Sequence, residues 1–432
     1  MPYSFPTVSE VWLHLLDGCG VQGVPGVPDV SFVNLFAVVL IALLAPLLLG
    51  LAPRVRIPAV VLEIVAGIVF GPAGLGWIQV DLPVQIVALL GLAFLLFLAG
   101  LEIDLHWLRG RLLGNALLGY VVTLVLGTAA GVFFRLAGWV QSPLLIAVAL
   151  SATSLGLVVP LLKDVGHTGS EVGKAIIAAS SVADFGAVVL LSLLFSTSGG
   201  STGGRVVLLV AFTFLVALAV LLASRSMRLG DVLLRLQDTT AQIRVRAAVV
   251  LLVGFVALAE RLGLETILGA FLAGAVVGLV DRGSATHPHF RTKLEALGYG
   301  FLIPVFFVAS GLRLDLRGLI ESPSALLPVP LFLVALLVVR GVPALLYRRS
   351  LGIRSSLAAV LLQATSLPFL VTAAQIGVTV GLMRPVTAAA LVCAGLLSVL
   401  LFPVGALVLL RGREEAPSTQ TGTGPSGMGE AM

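Results

Sequence analysis

The sequence predicts an all-α polytopic membrane protein of about thirteen transmembrane helices, built as two inverted five-helix repeats with crossed discontinuous helices. Three observations predict it. Of the 432 residues, 59% are hydrophobic and only 11% charged, where an ordinary soluble domain is about a quarter charged. Apolar runs of about twenty residues, enough to span ~30 Å of hydrocarbon, recur with short polar breaks from Ser31 to Leu410. Three motifs also recur in one order at offsets of 207, 211 and 212 residues. Strand-like alternation is absent, which excludes a β-barrel. Helices remain, because they satisfy their own backbone in lipid.

The elements follow in order. Residues 1–30 carry Glu10, Asp17 and Asp29 but no Lys or Arg, so they lack the basic start of a signal peptide and read as an uncleaved extracytoplasmic segment. The expected spans are 31–50, 57–76, 84–104, 113–136, 142–163, 171–197, 205–226, 243–262, 264–282, 295–313, 326–347, 355–377 and 385–410. Residues 411–432, rich in Ser, Thr and Gly, read as a disordered cytoplasmic tail with no regulatory domain appended. Cys19 and Cys393 imply neither a disulfide framework nor a metal site, and His287 and His289 fall in a solvated loop. The net charge of +5 reports topology rather than nucleic-acid binding. With the N-terminus outside, nineteen Lys and Arg lie on the inner side, from Arg54 to Arg413. Only six, Arg135, Arg205, Arg261, Arg313, Arg317 and Arg384, lie outside. That split predicts a multi-pass chain with its N-terminus outside and its C-terminus in the cytoplasm.

The repeats pair Glu63–Gly71 with Ala270–Gly278, Leu98–Leu105 with Ala309–Leu316, and Ser151–Leu155 with Gln363–Leu367. Five spans, 57–197, match five spans, 264–410. Seven crossings separate matching helices, so the second copy is inverted, as in many secondary transporters.

The chemistry concentrates in the third pair. Ser151, Thr153 and Ser154 lie in mid-span before Gly156 and Pro160, and Gln363, Thr365 and Ser366 lie in mid-span before Pro368. Polar residues with Gly or Pro at bilayer depth fit two unwound helices that cross, whose free carbonyls and half-helix ends hold an ion. The alternative is that these hydroxyls bond back to their own helices and the prolines only kink them. Asp184 is the one acid centred in a long span, too deep to snorkel, with Ser180 and Ser181 one turn before it. Such a carboxylate carries either a proton or a transient monovalent cation, and their competition is the simplest exchange mechanism. Arg340 is the basic residue inside a span. It either snorkels to the cytoplasmic face or neutralises the negative ends of the broken helices. Glu63, Glu102, Asp104 and Glu260 lie near span ends and read as interfacial or packing residues.

At these motifs the sequence resembles the bacterial monovalent cation:proton antiporters of the second cation/proton antiporter family. The stretches that carry the resemblance are PAVVLEIVAGIVFGP from Pro58, FLLFLAGLEID from Phe94, LETILGAFLAG from Leu264 and PVFFVASGLRLD from Pro304. The resemblance implies a thirteen-helix, usually dimeric exchanger of Na⁺ or K⁺ for H⁺ with an elevator-like movement. By it, 31–105 and 243–314 form a dimerisation scaffold, 113–197 and 326–410 the moving core, and 205–226 a linker. The family's ion-binding acid falls on Asp184, its unwound Thr on Thr153 and its basic residue on Arg340. The polar residue that precedes the acid in the family is here Ala183. The second acid is therefore missing and an Arg keeps its proton, so the expected exchange is electroneutral. The cation/proton site is expected to be Asp184, Thr153, Ser154 and Ser181. Arg340, Ser151, Thr365, Ser366 and Pro368 are expected to supply the breaks and charge compensation.

No cofactor and no nucleic-acid partner are expected. An enzyme is disfavoured, since the spans hold no paired aspartates, Ser–His pair or metal cluster. The competing readings are a sodium-coupled organic-anion symporter, which needs no proton-carrying acid, and a non-transporting membrane sensor or channel.

Overall fold

The computed structural model describes residues 31–51, 58–102, 110–164, 166–195, 204, 207, 242–282, 289–321 and 326–411. The regular elements among them are helices, and the one β contact is an isolated bridge between Val140 and Met383. In chain order they are α1 (Val33–Leu51), α2 (Ala59–Phe70), α3 (Leu82–Leu101) and α4 (Gly110–Leu136). Half-helices α5 (Pro143–Ser151) and α6 (Leu155–Asp164) precede α7 (Glu171–Phe195). Then come α8 (Ile243–Arg261), α9 (Thr266–Arg282) and α10 (His289–Leu297), which runs through a π turn at Gly298–Leu302 into α11 (Ile303–Leu312). The chain continues as α12 (Leu316–Ile320), α13 (Pro328–Ala344), a 3₁₀ turn at Leu345–Tyr347 and α14 (Arg348–Leu351). A second pair of half-helices, α15 (Ile353–Gln363) and α16 (Pro368–Thr379), leads to α17 (Pro385–Arg411).

Among the described residues, eight stretches are long and apolar enough to cross a membrane, and α2 and the apolar part of α9 are shorter apolar helices. The chain is a multi-pass membrane protein. Twelve of the thirteen expected spans fall on helices or half-helix pairs. Of the linker expected at 205–226 only Val207 is described, and 1–30 and 412–432 also lie outside the described residues.

Local chemistry sets the boundaries. The Asp81 carboxylate accepts the Val84 amide at 3.1 Å to start α3, and Ser142 accepts the Leu145 amide at 3.3 Å to start α5. Each cap is followed by a proline in the first helical turn, where no amide donor is missed. The span expected at 57–76 is shorter as a helix. Gly71 leaves the helical path with extended backbone, and Trp77 and Ile78 fold back to donate to the Phe70 carbonyl at 3.0 Å. His289, expected in a loop, instead opens α10. The loop expectation fails because α10 runs without a stop into α11: Pro304 lacks an amide proton, and the wider π turn before it absorbs the interrupted ladder.

Helices gain little from burial against one another in lipid, so close backbone contact decides their packing. The crossings of α2 with α11 and of α3 with α9 show this. A Cβ on Gly67 would strike the Val308 carbonyl, and one on Gly311 the Ile64 carbonyl. A Cβ on Gly100 would strike the Phe271 carbonyl, and one on Gly274 the Phe97 carbonyl. The offset of 207 carries Ile64 and Gly67 onto Phe271 and Gly274, and that of 211 carries Phe97 and Gly100 onto Val308 and Gly311. Each contact of one crossing therefore has its counterpart in the other.

The remaining helices pack around the two half-helix pairs. Phe134 of α4 meets Phe332 of α13 with ring centroids 4.5 Å apart, while α15 and α16 lie on α17. This group touches the glycine-crossed group at several points. The Phe185 and Phe271 rings lie 6.0 Å apart, the Glu265 amide donates to Ser192 Oγ at 3.1 Å, and Gln375 Nε2 donates to Ser310 Oγ at 3.2 Å.

Candidate functional site

The chain leaves the helical path twice in mid-span. Ala152, with φ −80° and ψ 152°, is extended, and α6 resumes at Leu155. In the second pair Leu367 departs from helix (φ −141°, ψ −57°) before Pro368 opens α16. The two breaks touch. The Ser154 amide donates to the Thr365 carbonyl at 2.9 Å, and the Thr153 hydroxyl donates to the Gln363 carbonyl at 2.8 Å.

Thr153 is the hub of the crossing. Its amide donates to Asp184 Oδ1 at 3.0 Å. Its hydroxyl accepts from Arg340, from Nε at 2.9 Å and also from Nη2. Acid and base thus meet through one residue, the backbone serving the carboxylate and the side chain serving the guanidinium. Arg340 also donates from Nη1 to Thr123 Oγ1 at 3.4 Å and from Nε to the Gln363 carbonyl at 3.4 Å. It is 1% exposed. Of the two readings of Arg340, snorkelling is therefore corrected: α13 turns the residue inward, because the carbonyl end of α15 and two threonine hydroxyls supply acceptors there. Positive charge at the C-terminal end of α15 and negative charge at the N-terminal end of α6 both oppose the helix dipoles.

Asp184 is half-buried, and the Leu155 amide also faces it. Ala183 before it is fully buried and brings no polar group. The hydroxyls around it differ in availability. Ser181 donates back to Ile177 at 2.8 Å, Ser151 to Val148 at 2.8 Å and Thr365 to Leu361 at 3.1 Å. These three bond to their own helices, as the simpler reading of such hydroxyls expects. Ser180 differs, for its Oγ is buried without a hydrogen-bond partner, one turn before the carboxylate. At the second break, Ser366 donates its amide to Ser398 Oγ at 3.2 Å, and the Ser398 hydroxyl has the Gly395 carbonyl at 2.7 Å and the Ser366 carbonyl at 3.0 Å as its acceptors. Ser366 Oγ and Gln363 Nε2 are buried without partners. The set is all hard oxygen around one carboxylate, which suits a proton or a small hard cation and not a soft metal.

Sequence reasoning passed over Tyr120, Thr123 and Ser398. The signal was present for two of them: Tyr120 and Thr123 lie three apart, on one face of a helix that is apolar through most of its middle. Ser398 carried none, since one serine in a long apolar helix is ordinary.

The comparisons with known proteins agree with this geometry. A family model described as sodium/hydrogen exchanger, transmembrane, matches residues 39–411. A putative Na⁺/H⁺ antiporter, YjbQ, of Bacillus subtilis is 32% identical over 398 residues, covering 89% of this chain and 64% of its own length. The glutathione-regulated potassium-efflux system protein KefC of Salmonella heidelberg is 29% identical, covering 85% of this chain and 59% of its own. The chain thus spans about two-thirds or less of the length of these two relatives. Among solved structures, the sodium proton antiporter MjNhaP1 of Methanocaldococcus jannaschii superposes with a TM-score of 0.61 at 18% identity, covering 87% of this chain and 98% of the other. That likeness concerns the fold.

Proposed function

The chain belongs to the transmembrane sodium/hydrogen exchanger family, and from that premise we propose that it exchanges a monovalent cation, Na⁺ or K⁺, for H⁺ across the cell membrane. The relatives are transporters rather than enzymes, with names that specify sodium–proton antiport or potassium efflux. One observation carries the reading. A half-buried carboxylate in mid-span, Asp184, is held by the Thr153 amide at the start of a half-helix, and the same threonine binds a buried arginine. A free carboxylate in lipid is costly, so Asp184 takes a proton or a cation, and each displaces the other. Asp184, Ser180 and the polar break around Thr153 and Ser154 hold the cation.

Arg340 keeps its proton at every physiological pH and stands as a fixed positive charge at the crossing. With Ala183 in place of a second acid, one proton moves per cation, and the exchange is electroneutral. Helices α4–α7 and α13–α17 form the moving core. The glycine-crossed group of α1–α3 and α8–α11 is the scaffold and carries the homodimer contact, with the N-terminus outside and the C-terminus cytoplasmic.

Purified protein in liposomes with an enclosed pH-sensitive dye tests the reading. Addition of Na⁺, K⁺ or Li⁺ moves protons with the wild type and not with Asp184→Asn. A wild type that answers to no monovalent cation overturns antiport, and an Asp184-dependent current overturns electroneutrality.

A further inference from the structure

The geometry points to Tyr120 as a positioning residue of the exchange site, one that holds the first helix break against the helix bearing Asp184 and thereby sets cation affinity and preference. The inference rests on the antiport reading and extends it to a residue that touches neither ion.

Tyr120 lies on α4 with its phenol oxygen 3.4 Å from Ser151 Oγ. The Ser151 proton is already committed to the Val148 carbonyl at 2.8 Å. Tyr120 is therefore the donor and Ser151 the acceptor, and Ser151 is the last residue of α5 before the chain unwinds. On its other side the hydroxyl end of the Tyr120 ring lies close against α7 at Gly186, two residues after Asp184. A Cβ at Gly186 would stand 2.7 Å from the phenol oxygen and 2.5 Å from the ring carbon that bears it. Only glycine leaves room there, so the ring is clamped between the break and the Asp184 helix.

The same face of α4 holds the other half of the crossing. Thr123, one turn on, accepts from Arg340 Nη1 at 3.4 Å and donates to the Gly119 carbonyl at 2.9 Å. Through residues 120 and 123, one helix meets both the acid's support and the fixed cation. Selectivity between Na⁺ and K⁺ depends on how far apart the oxygens around an ion are held. A rigid ring fixing the distance from Ser151 to α7 is a means of setting that spacing.

Exchange and binding are both measurable in the full-length protein. Tyr120→Phe keeps the ring and removes the donor. It raises the KM for the transported cation by about 3- to 10-fold, the effect of one lost hydrogen bond, more than it lowers the maximal rate, and it alters the ratio of KM values for Na⁺, K⁺ and Li⁺. Ser151→Ala does the same. The double variant is no worse than the larger single one, because both remove one interaction. Cation-induced thermal stabilisation of detergent-purified protein supplies a readout independent of transport, and Tyr120→Phe needs correspondingly more cation for the same shift. Unchanged KM and unchanged cation dependence in Tyr120→Phe, or effects that multiply in the double variant, overturn the inference. Antiport by the wild type, lost in Asp184→Asn, stands in that case. A wild type that neither exchanges nor is stabilised by any monovalent cation overturns both.

Discussion

The two glycine crossings and the two helix breaks both fall at positions matched by the repeat offsets, yet they differ in how closely their two members correspond. At the crossings the correspondence is complete: the carbonyls of Ile64 and Val308 meet Gly311 and Gly67 as those of Phe271 and Phe97 meet Gly100 and Gly274. At the breaks it is lost. Thr153 gives its amide to a carboxylate and its hydroxyl to a carbonyl and an arginine, whereas its counterpart Thr365 bonds back to Leu361. Where the first break faces the acid Asp184, the second faces the Arg340 guanidinium at the Gln363 carbonyl and the uncharged Ser398 at Ser366. Packing two backbones against each other is a requirement shared by both halves. A single site that carries one ion at a time needs one acid, and a second acid would double the charge to be neutralised inside the membrane. Symmetry survives where the demand is geometric and disappears where it is electrostatic.

This contrast breaks most easily at the acids. Asp184→Asn is expected to abolish proton movement in the dye assay, while Ser398→Ala, the nearest equivalent on the other break, retains most of it. Equal losses would show that the breaks share the work. Thr153→Val and Thr365→Val form the next pair. Thr153→Val removes the hydroxyl that Arg340 Nε and Nη2 share and that donates to the Gln363 carbonyl, leaving Arg340 only its longer bonds to Thr123 and Gln363. That costs about 1–3 kcal/mol, and initial exchange rates should fall on the order of tenfold to a hundredfold. Thr365→Val removes a hydroxyl that serves its own helix, so its rate stays within about twofold. The crossings should behave oppositely. Gly67→Ala and Gly274→Ala each set a methyl group against a carbonyl, destabilising by about 1–3 kcal/mol. Detergent-solubilised protein should show similar drops in thermal midpoint for both. A drop confined to one of them would break the equivalence.

The last expectation tests competition directly. On the proposed competition, the site binds cation only when Asp184 is deprotonated, so cation binding releases a proton and proton binding excludes the cation. In the acid limb, each unit fall in pH should raise the apparent KM by about tenfold, leaving the maximal rate unchanged when cation is raised to compensate. A KM independent of pH would separate the two ions and remove Asp184 as their shared ligand.

Some of this was legible in one dimension. The acid, the arginine and the two polar breaks stood out because each is costly in lipid, and the repeat offsets singled out the glycines that make the crossings. Ser181 was drawn into the site by helical spacing alone, but its hydroxyl turns back to Ile177 while Ser180 is left without a partner. Spacing places two neighbouring serines near one face and says nothing of rotamers. Tyr120, Thr123 and Ser398 lie 64, 61 and 214 residues from Asp184, distances that only helix packing closes.

The sequence by itself determined that this chain crosses the membrane many times, where it crosses and which residues cannot rest there unpaired. Those properties follow from transfer of each segment out of water, which depends on composition and length alone. Tertiary structure decided that Arg340 faces inward, that Thr153 joins it to Asp184, and that the second break is occupied by serine chemistry. These are matters of direction and contact, and a side chain's direction is set by the acceptors that neighbouring helices bring to it.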